Sequence, residues 1–345
     1  MITKQANYLD FLGTPSTKML IPVFQRVYTW GAWQCEELWS DICRAGRDNQ
    51  THFIGSAVFT REDAPQDAGY EQIYNIVDGQ QRTTTITLLL IALRDHLLKT
   101  SDSVCGYTAD DIEAKFLRLQ TSKGREQKFI AAPNDQETLA SVLECTELPD
   151  EHHRSKYVLN NYQCFADHMA AADFDAEAMW HGLENLFAIM IELEACDNPQ
   201  LVFEGINSKG LSLSTADLLR NKLFFGNDEA TQERLLHDYW EPIEELFAFD
   251  KTQQSFNAAI RAWLCDKDPS LEKHSRHELY SVFRKYLAEQ YQGTTEELMK
   301  ELLEWCDLFK RKIRSPMMKK HVDWASDAAI LGASRVAPVK GGMFP

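Results

Sequence analysis

Hydrophobic positions in the first 77 residues come in short runs. Met19-Leu20-Ile21-Pro22-Val23-Phe24 predicts an extended segment, because a residue ahead of proline avoids the helical region. Trp33, Leu38, Trp39 and Ile42 recur at helical spacing and predict a helix there. Residues 52–59 and 72–77 read as two buried strands joined by a polar loop over 62–69, with Pro65 and Gly69 as punctuation. Thr83 to Leu98 then predicts a long apolar helix. After about Ser101 the pattern is helical almost throughout, over 109–120, 135–145, 155–171, 176–193, 230–248, 253–264, 276–291 and 295–312. The fold class expected is α+β, a small mixed α/β lobe with a large, mostly helical remainder. Its parts are a core over 1–100, a helical segment over 101–200, and a return segment over 201–226 completing the core. A helical domain over 227–320 and a small-residue-rich, poorly ordered tail over 321–345 follow.

Composition narrows the class. The chain has 345 residues, 44% hydrophobic and 26% charged, which excludes collagen-like and disordered types. The longest aliphatic run, Ile86 to Leu93, is far short of the ~20 residues a membrane helix needs. The first residues are polar rather than an apolar signal region. Eight cysteines without a CxxC pair suggest reduced thiols, so a cytoplasmic protein is expected. Net charge is −16, and residues 134–200, with 2 basic and 14 acidic side chains, supply 12 of those negative charges. The flanking parts are near neutral, so a local anion site remains open despite general repulsion of nucleic acid. The acidic stretch itself reads as a solvated helical surface.

Candidate chemistry concentrates in Tyr74-Asn75-Ile76-Val77-Asp78-Gly79-Gln80-Gln81-Arg82-Thr83-Thr84-Thr85. A hydrophobic strand ends in Asp-Gly and a helix starts at once, which puts unpaired N–H groups and a positive dipole end beside a flexible glycine. There Arg82 suits bidentate phosphate contact, and Asp78 suits a magnesium ion or an oriented water. Gln80 and Gln81 suit a water-positioning or base-reading amide. Thr83 and Thr84 complete the candidate nucleotide ligands at a helix start where threonine is unfavourable by propensity. A second constellation, Phe24-Gln25-Arg26-Val27-Tyr28-Thr29-Trp30, sets aromatics around a Gln-Arg pair. Tyr28 and Trp30 are candidates for stacking on a base and Arg26 for holding a phosphate. One pocket shaped by the aromatic strip Phe24, Tyr28, Trp30 and Trp33 together with the Asp78 loop is expected. A third stretch, Leu201 to Asn221, places Asn207 and Lys209 in a polar turn near a ligand, before a helix with a capping-box start at Ser214 and Asp217. Taken singly, each stretch also fits an ordinary turn, core edge or capped helix.

In combination they are more specific. Phe24-Gln25-Arg26-x-Tyr28-x-Trp30, Phe53-Ile54-Gly55-Ser56, Ile76 to Thr84, and Val202 to Asn221 occur in order. This closely resembles the DGQQR-motif family, the N-terminal half of GmrSD-type and SspE-type anti-phage restriction enzymes, over roughly residues 8–226. The resemblance implies a core similar to the ParB and sulfiredoxin fold, and NTP binding and hydrolysis coupled to recognition of modified phage DNA and control of a nuclease. By the same resemblance Asp78, Gly79, Gln80, Gln81 and Arg82 form the nucleotide loop and Gln25 and Arg26 the adjoining pocket. NTP (GTP or another) and Mg²⁺ are the implied cofactors. DNA, a nuclease partner chain and a second copy are the candidate partners, and no membrane is involved.

One departure stands out. Such enzymes usually carry an HNH-type nuclease with a His-centred metal site, yet His321 is the last of ten histidines and lies without the expected companions. The His152-His153 pair reads as a surface pair. P-loop, HExxH, GxSxG and GxGxxG signatures are absent. Cleavage by these residues is therefore not expected. Two alternatives stay open beside the NTPase: a non-hydrolysing nucleotide switch, and a DNA- or partner-binding module.

Overall fold

The computed structural model describes residues 1–207, 214–248, 254–268 and 279–314, apart from a few side chains near the ends of these stretches. The chain forms two compact units, residues 1–209 and 210–345.

The first unit is built on a six-stranded mixed sheet. Its strands are β1 (Ile2–Asn7), β2 (Thr17–Leu20), β3 (His52–Asp63), β4 (Gln72–Asp78), β7 (Phe129–Ile130) and β8 (Leu186–Leu193), in the order β1-β8-β3-β4-β2-β7. β3 and β4 form the expected hairpin, while β8 runs parallel to β3 and antiparallel to β1. A separate hairpin, β5 (Arg118–Thr121) with β6 (Gly124–Gln127), stands apart from the sheet. The helices of this unit are α1 (Tyr8–Leu12), α2 (Ala32–Arg47), α3 (Gln80–Thr100), α4 (Ala109–Ile112), α5 (Pro133–Glu144), α6 (Lys156–Ala170), α7 (Ala176–Glu184) and α8 (Pro199–Asn207). α3 is the central helix, buried along almost its whole length. That is why its sequence reads apolar on all sides, as a helix enclosed by other elements must.

Three expectations need correction. The helix foreseen over 176–193 stops at Glu184, and Leu186-Phe187-Ala188-Ile189-Met190-Ile191 is an interior strand. An apolar run of six residues has no periodicity that separates a buried strand from a buried helix. The helix foreseen over 109–120 passes through a π-turn at Glu113–Leu117 and gives way to β5. The segment 201–226 does not return as a whole. α8 belongs to the first unit, and α9 (Thr215–Phe224) to the second.

The second unit is helical, with α9, α10 (Glu229–Leu235), α11 (Glu241–Phe247), α12 (Gln254–Lys267), α13 (Leu279–Glu289) and α14 (Thr295–Arg314). Edge-to-face aromatic pairs, Phe224 with Trp240 and Trp240 with Phe256, form part of its core. Ser214 and Asp217 form the reciprocal capping box at the start of α9. The tail over 321–345 lies outside the described residues.

Candidate functional site

β4 delivers Asp78 to the end of the sheet, and Gly79, at φ +95°, turns the chain directly into α3. No side chain caps the first turn of α3. The loop between β2 and α2 crosses this corner. There the Gln25 Nε2 donates to the Val77 carbonyl at 3.0 Å, and the Gln80 Nε2 donates to the Gln25 Oε1 at 3.3 Å. Gln81 reaches the same loop: its Oε1 accepts from the Thr29 and Trp30 N–H groups at 2.8 and 3.2 Å, and its Nε2 donates to the Val27 carbonyl at 3.1 Å. The two glutamines thus clamp the Phe24–Trp30 loop onto the start of α3.

The threonines are also inward. Thr83, Thr84, Thr85 and Thr87 each donate a hydroxyl to the carbonyl four residues back, at 2.8–3.0 Å. A threonine that satisfies its own hydroxyl this way can sit in an apolar helix core. Thr83 also meets the Tyr8 hydroxyl at 2.7 Å, and Thr85 meets that of Tyr28 at 2.6 Å. Their hydroxyls are therefore spent inside the helix, and the Thr83 N–H is taken by the Gly79 carbonyl at 2.9 Å, so the unpaired N–H groups of the helix start belong to Gln80, Gln81 and Arg82.

The accessible chemistry lies with Asp78, Arg82, Arg26 and Ser56. Arg82 donates to the Ile54 and Ser56 carbonyls, and its Nη2 lies 3.6 Å from the Asp78 carboxylate. Those carbonyls converge because β3 breaks register against β8 between Phe53 and Ser56, with Gly55 at φ +103°. A Cβ at Gly55 would stand 1.8 Å from the Arg82 Nη1, so only glycine leaves room for the guanidinium. The Gly79 N–H, the Ser56 hydroxyl and the Arg82 and Arg26 cations all favour the charged form of Asp78. Burial nevertheless pushes its carboxyl above the ordinary aspartate range, with the two arginines pulling the other way. The Arg26 Nε is buried with no hydrogen-bond partner among the described residues.

The aromatic strip does not form one pocket wall. Tyr28, expected to stack on a base, is a core residue with 3% exposure, its hydroxyl held by Thr85 and by the Asn161 amide of α6 at 2.9 Å. Trp33 stands 68% exposed on the first turn of α2. Trp30 is half-buried, and its carbonyl accepts from Asn161. Asn207 ends α8 with its side chain outside the described residues, and Lys209 lies outside them altogether. Sequence reasoning gave no role to Ser56, Gly55 or Asn161. The quoted Phe53-Ile54-Gly55-Ser56 run was the available signal for the first two.

A family model for the N-terminal domain of GmrSD restriction endonucleases matches residues 8–224, well over half of the chain. The chain belongs to this family. The match begins at α1 and takes in the Gln25–Arg26 loop, the β3 bulge, the Asp78–Arg82 corner and α9. As a GmrSD N-terminal domain the chain is part of a restriction system. No curated protein matches it in sequence. No helix among the described residues is long and apolar enough to cross a membrane.

Proposed function

We propose that this GmrSD N-terminal domain binds a nucleoside triphosphate at the Asp78–Arg82 corner and hydrolyses it, as the sensor of a restriction system acting on modified DNA. The observation that carries this reading is the buried Arg26 Nε, without a hydrogen-bond partner among the described residues, on an arginine whose charge is felt at Asp78 beside an uncapped helix start. A buried guanidinium donor without an acceptor is costly, and a phosphate oxygen relieves that cost. The α3 N-terminus adds its dipole to the same anion. In this reading Arg26 binds the phosphate, Arg82 shapes the β3 bulge and neutralises charge, and Asp78 orients the attacking water or accepts its proton. A carboxyl raised by burial is better suited to that proton than an ordinary aspartate.

The residues do not form a magnesium cage of their own. Asp78 is ion-paired to Arg82, and no metal cluster among the described residues includes it. Mg²⁺ would enter on the triphosphate. In this reading DNA cleavage belongs to a nuclease outside these residues.

The second reading is a switch that binds nucleotide without turnover. The amides of Gln80 and Gln81, expected to position water or read a base, are occupied by structural bonds. Phosphate release from each NTP with magnesium separates the two, alongside equilibrium binding. Arg26→Ala should weaken nucleotide binding by at least about tenfold, one lost charge-assisted contact, with an unchanged melt. Binding without release would select the switch. No binding by wild type, or wild-type binding by Arg26→Ala, would overturn the site.

A further inference from the structure

Away from that corner, α2 and α6 bring together three side chains of mixed donor type. Glu36 projects from α2, and Cys164 and His168 lie four residues apart on α6, so they share one helix face. The His168 Nε2 is 2.8 Å from the Glu36 Oε2, and the Cys164 Sγ is 3.3 Å from the Glu36 Oε1. One donor atom from each residue fits within a 4.8 Å cluster. The Trp39 ring stacks on the His168 imidazole at 4.8 Å and 10°, which restricts its rotation.

We propose that Glu36, Cys164 and His168 form a binding site for a tetrahedral transition-metal ion, zinc by its chemistry, with a fourth position open to water. Zinc bonds of roughly 2.0–2.3 Å to oxygen, nitrogen and sulfur at the tetrahedral angle put neighbouring ligand atoms about 3.3–3.6 Å apart. The Cys164–Glu36 separation lies at that edge and the His168–Glu36 separation about 0.5 Å short of it, through different carboxylate oxygens, so seating the ion requires the Glu36 carboxylate to rotate and withdraw from the imidazole. Thiolate with imidazole suits zinc and disfavours magnesium and calcium. Without metal the three groups satisfy one another: the thiol donates to Glu36 and the carboxylate pairs with the imidazole. Burial and the Glu36 charge hold that thiol protonated, its pKa pushed up to about 12. Binding exchanges the thiol proton, released to solvent, for a Zn–S bond, with no change of oxidation state. His168 and Glu36 keep enough exposure for an ion to enter from solvent.

The ion would clamp the two helices that frame the Phe24–Trp30 loop. α2 begins just after that loop at Ala32, and Asn161, one turn before Cys164 on α6, holds Tyr28 and Trp30. The site stands on its own geometry and does not depend on nucleotide binding.

Cobalt titration of the full chain tests it. Wild type should give a saturable one-to-one spectrum with thiolate-to-cobalt charge transfer and the visible bands of a tetrahedral ion. Zn²⁺ should displace that spectrum and raise the melting temperature by several degrees, as any ligand of the native state does. Cys164→Ser and His168→Ala should abolish the charge-transfer band or the saturation. Glu36→Gln, on an exposed side chain, should weaken cobalt binding at least tenfold. Cys196→Ser, in the exposed Glu194–Cys196–Asp197 cluster, should change nothing. A spectrum that survives Cys164→Ser, one lost with Cys196→Ser, or no thiolate–cobalt band in wild type would overturn the proposal.

Discussion

At the scale of single residues, the two arginines of the corner are not equivalent. Arg82 holds two backbone carbonyls at the β3 bulge and Asp78, so Arg82→Ala should destabilise the first unit by about 2–4 kcal/mol. Denaturant unfolding measures this, and wild-type stability in the variant would refute it. Gly55→Ala should be at least as damaging, because its Cβ would occupy the guanidinium position in a backbone conformation that alanine resists. Loss of activity in Arg82→Ala is thus a folding result first, whereas Arg26→Ala reports on the ligand. Lys128 offers a pH test. It is buried, its Nζ donates to the Lys115 carbonyl at 2.7 Å, and burial, helped by the Lys115 cation, lowers its pKa to about 8. The unfolded chain returns it to about 10.4. Between these values the unfolded state holds more protons, so this group's contribution to stability rises with pH, and its cost is fully felt below pH 8. Lys128→Met should therefore gain more stability at pH 7 than at pH 10, measured as the difference from wild type at each pH. An equal gain at both would remove the buried cation from the account. The sequence marked the corner but not the duties within it. Asp-Gly before a helix is a local signal, whereas the use of Gln81 as a clamp and Thr83 as a core hydroxyl depends on partners more than 50 residues away.

At the scale of elements, α2 and α7 touch backbone to backbone. A Cβ at Gly46 would lie 1.7 Å from the Ala178 carbonyl oxygen, and one at Gly182 would lie 1.9 Å from that of Ile42. Gly182→Ala should force these helices apart at a cost of about 3 kcal/mol or more, and Gly46→Ala should act alike. A double variant should fall short of the sum, because one separation relieves both clashes. Strict additivity in a denaturation series would contradict this shared interface. Elements with a period of their own were legible: α5, α6 and α12 lie within a few residues of their expected limits, and α2 starts where expected but runs on to Arg47. β1 and β8 were not. β1, Ile2-Thr3-Lys4-Gln5-Ala6-Asn7, is a mostly polar edge strand, and only its pairing with β8 makes it a strand at all.

At the scale of the whole molecule, the unit boundary falls at Lys209–Gly210, while the family match runs on to Phe224. A chain ending at residue 209 should fold cooperatively, because it holds all six strands of the sheet. A chain ending at Asn185 should not, because β8 is missing. Circular dichroism and a melt of both would decide, and a cooperative melt of the shorter chain would show that the sheet closes without β8. That strand carries a consequence for synthesis. β3 is complete by Asp63, but its parallel partner ends at Leu193. At about 5–20 residues per second, the ribosome needs on the order of ten seconds to deliver β8. Throughout that interval Ala57, Val58 and Phe59 stand on an unpaired strand edge, a template for association with other nascent chains. The yield of the first unit should therefore fall when translation is slowed after Asp63 and recover with a holdase chaperone, with the β3 edge as the segment to be shielded.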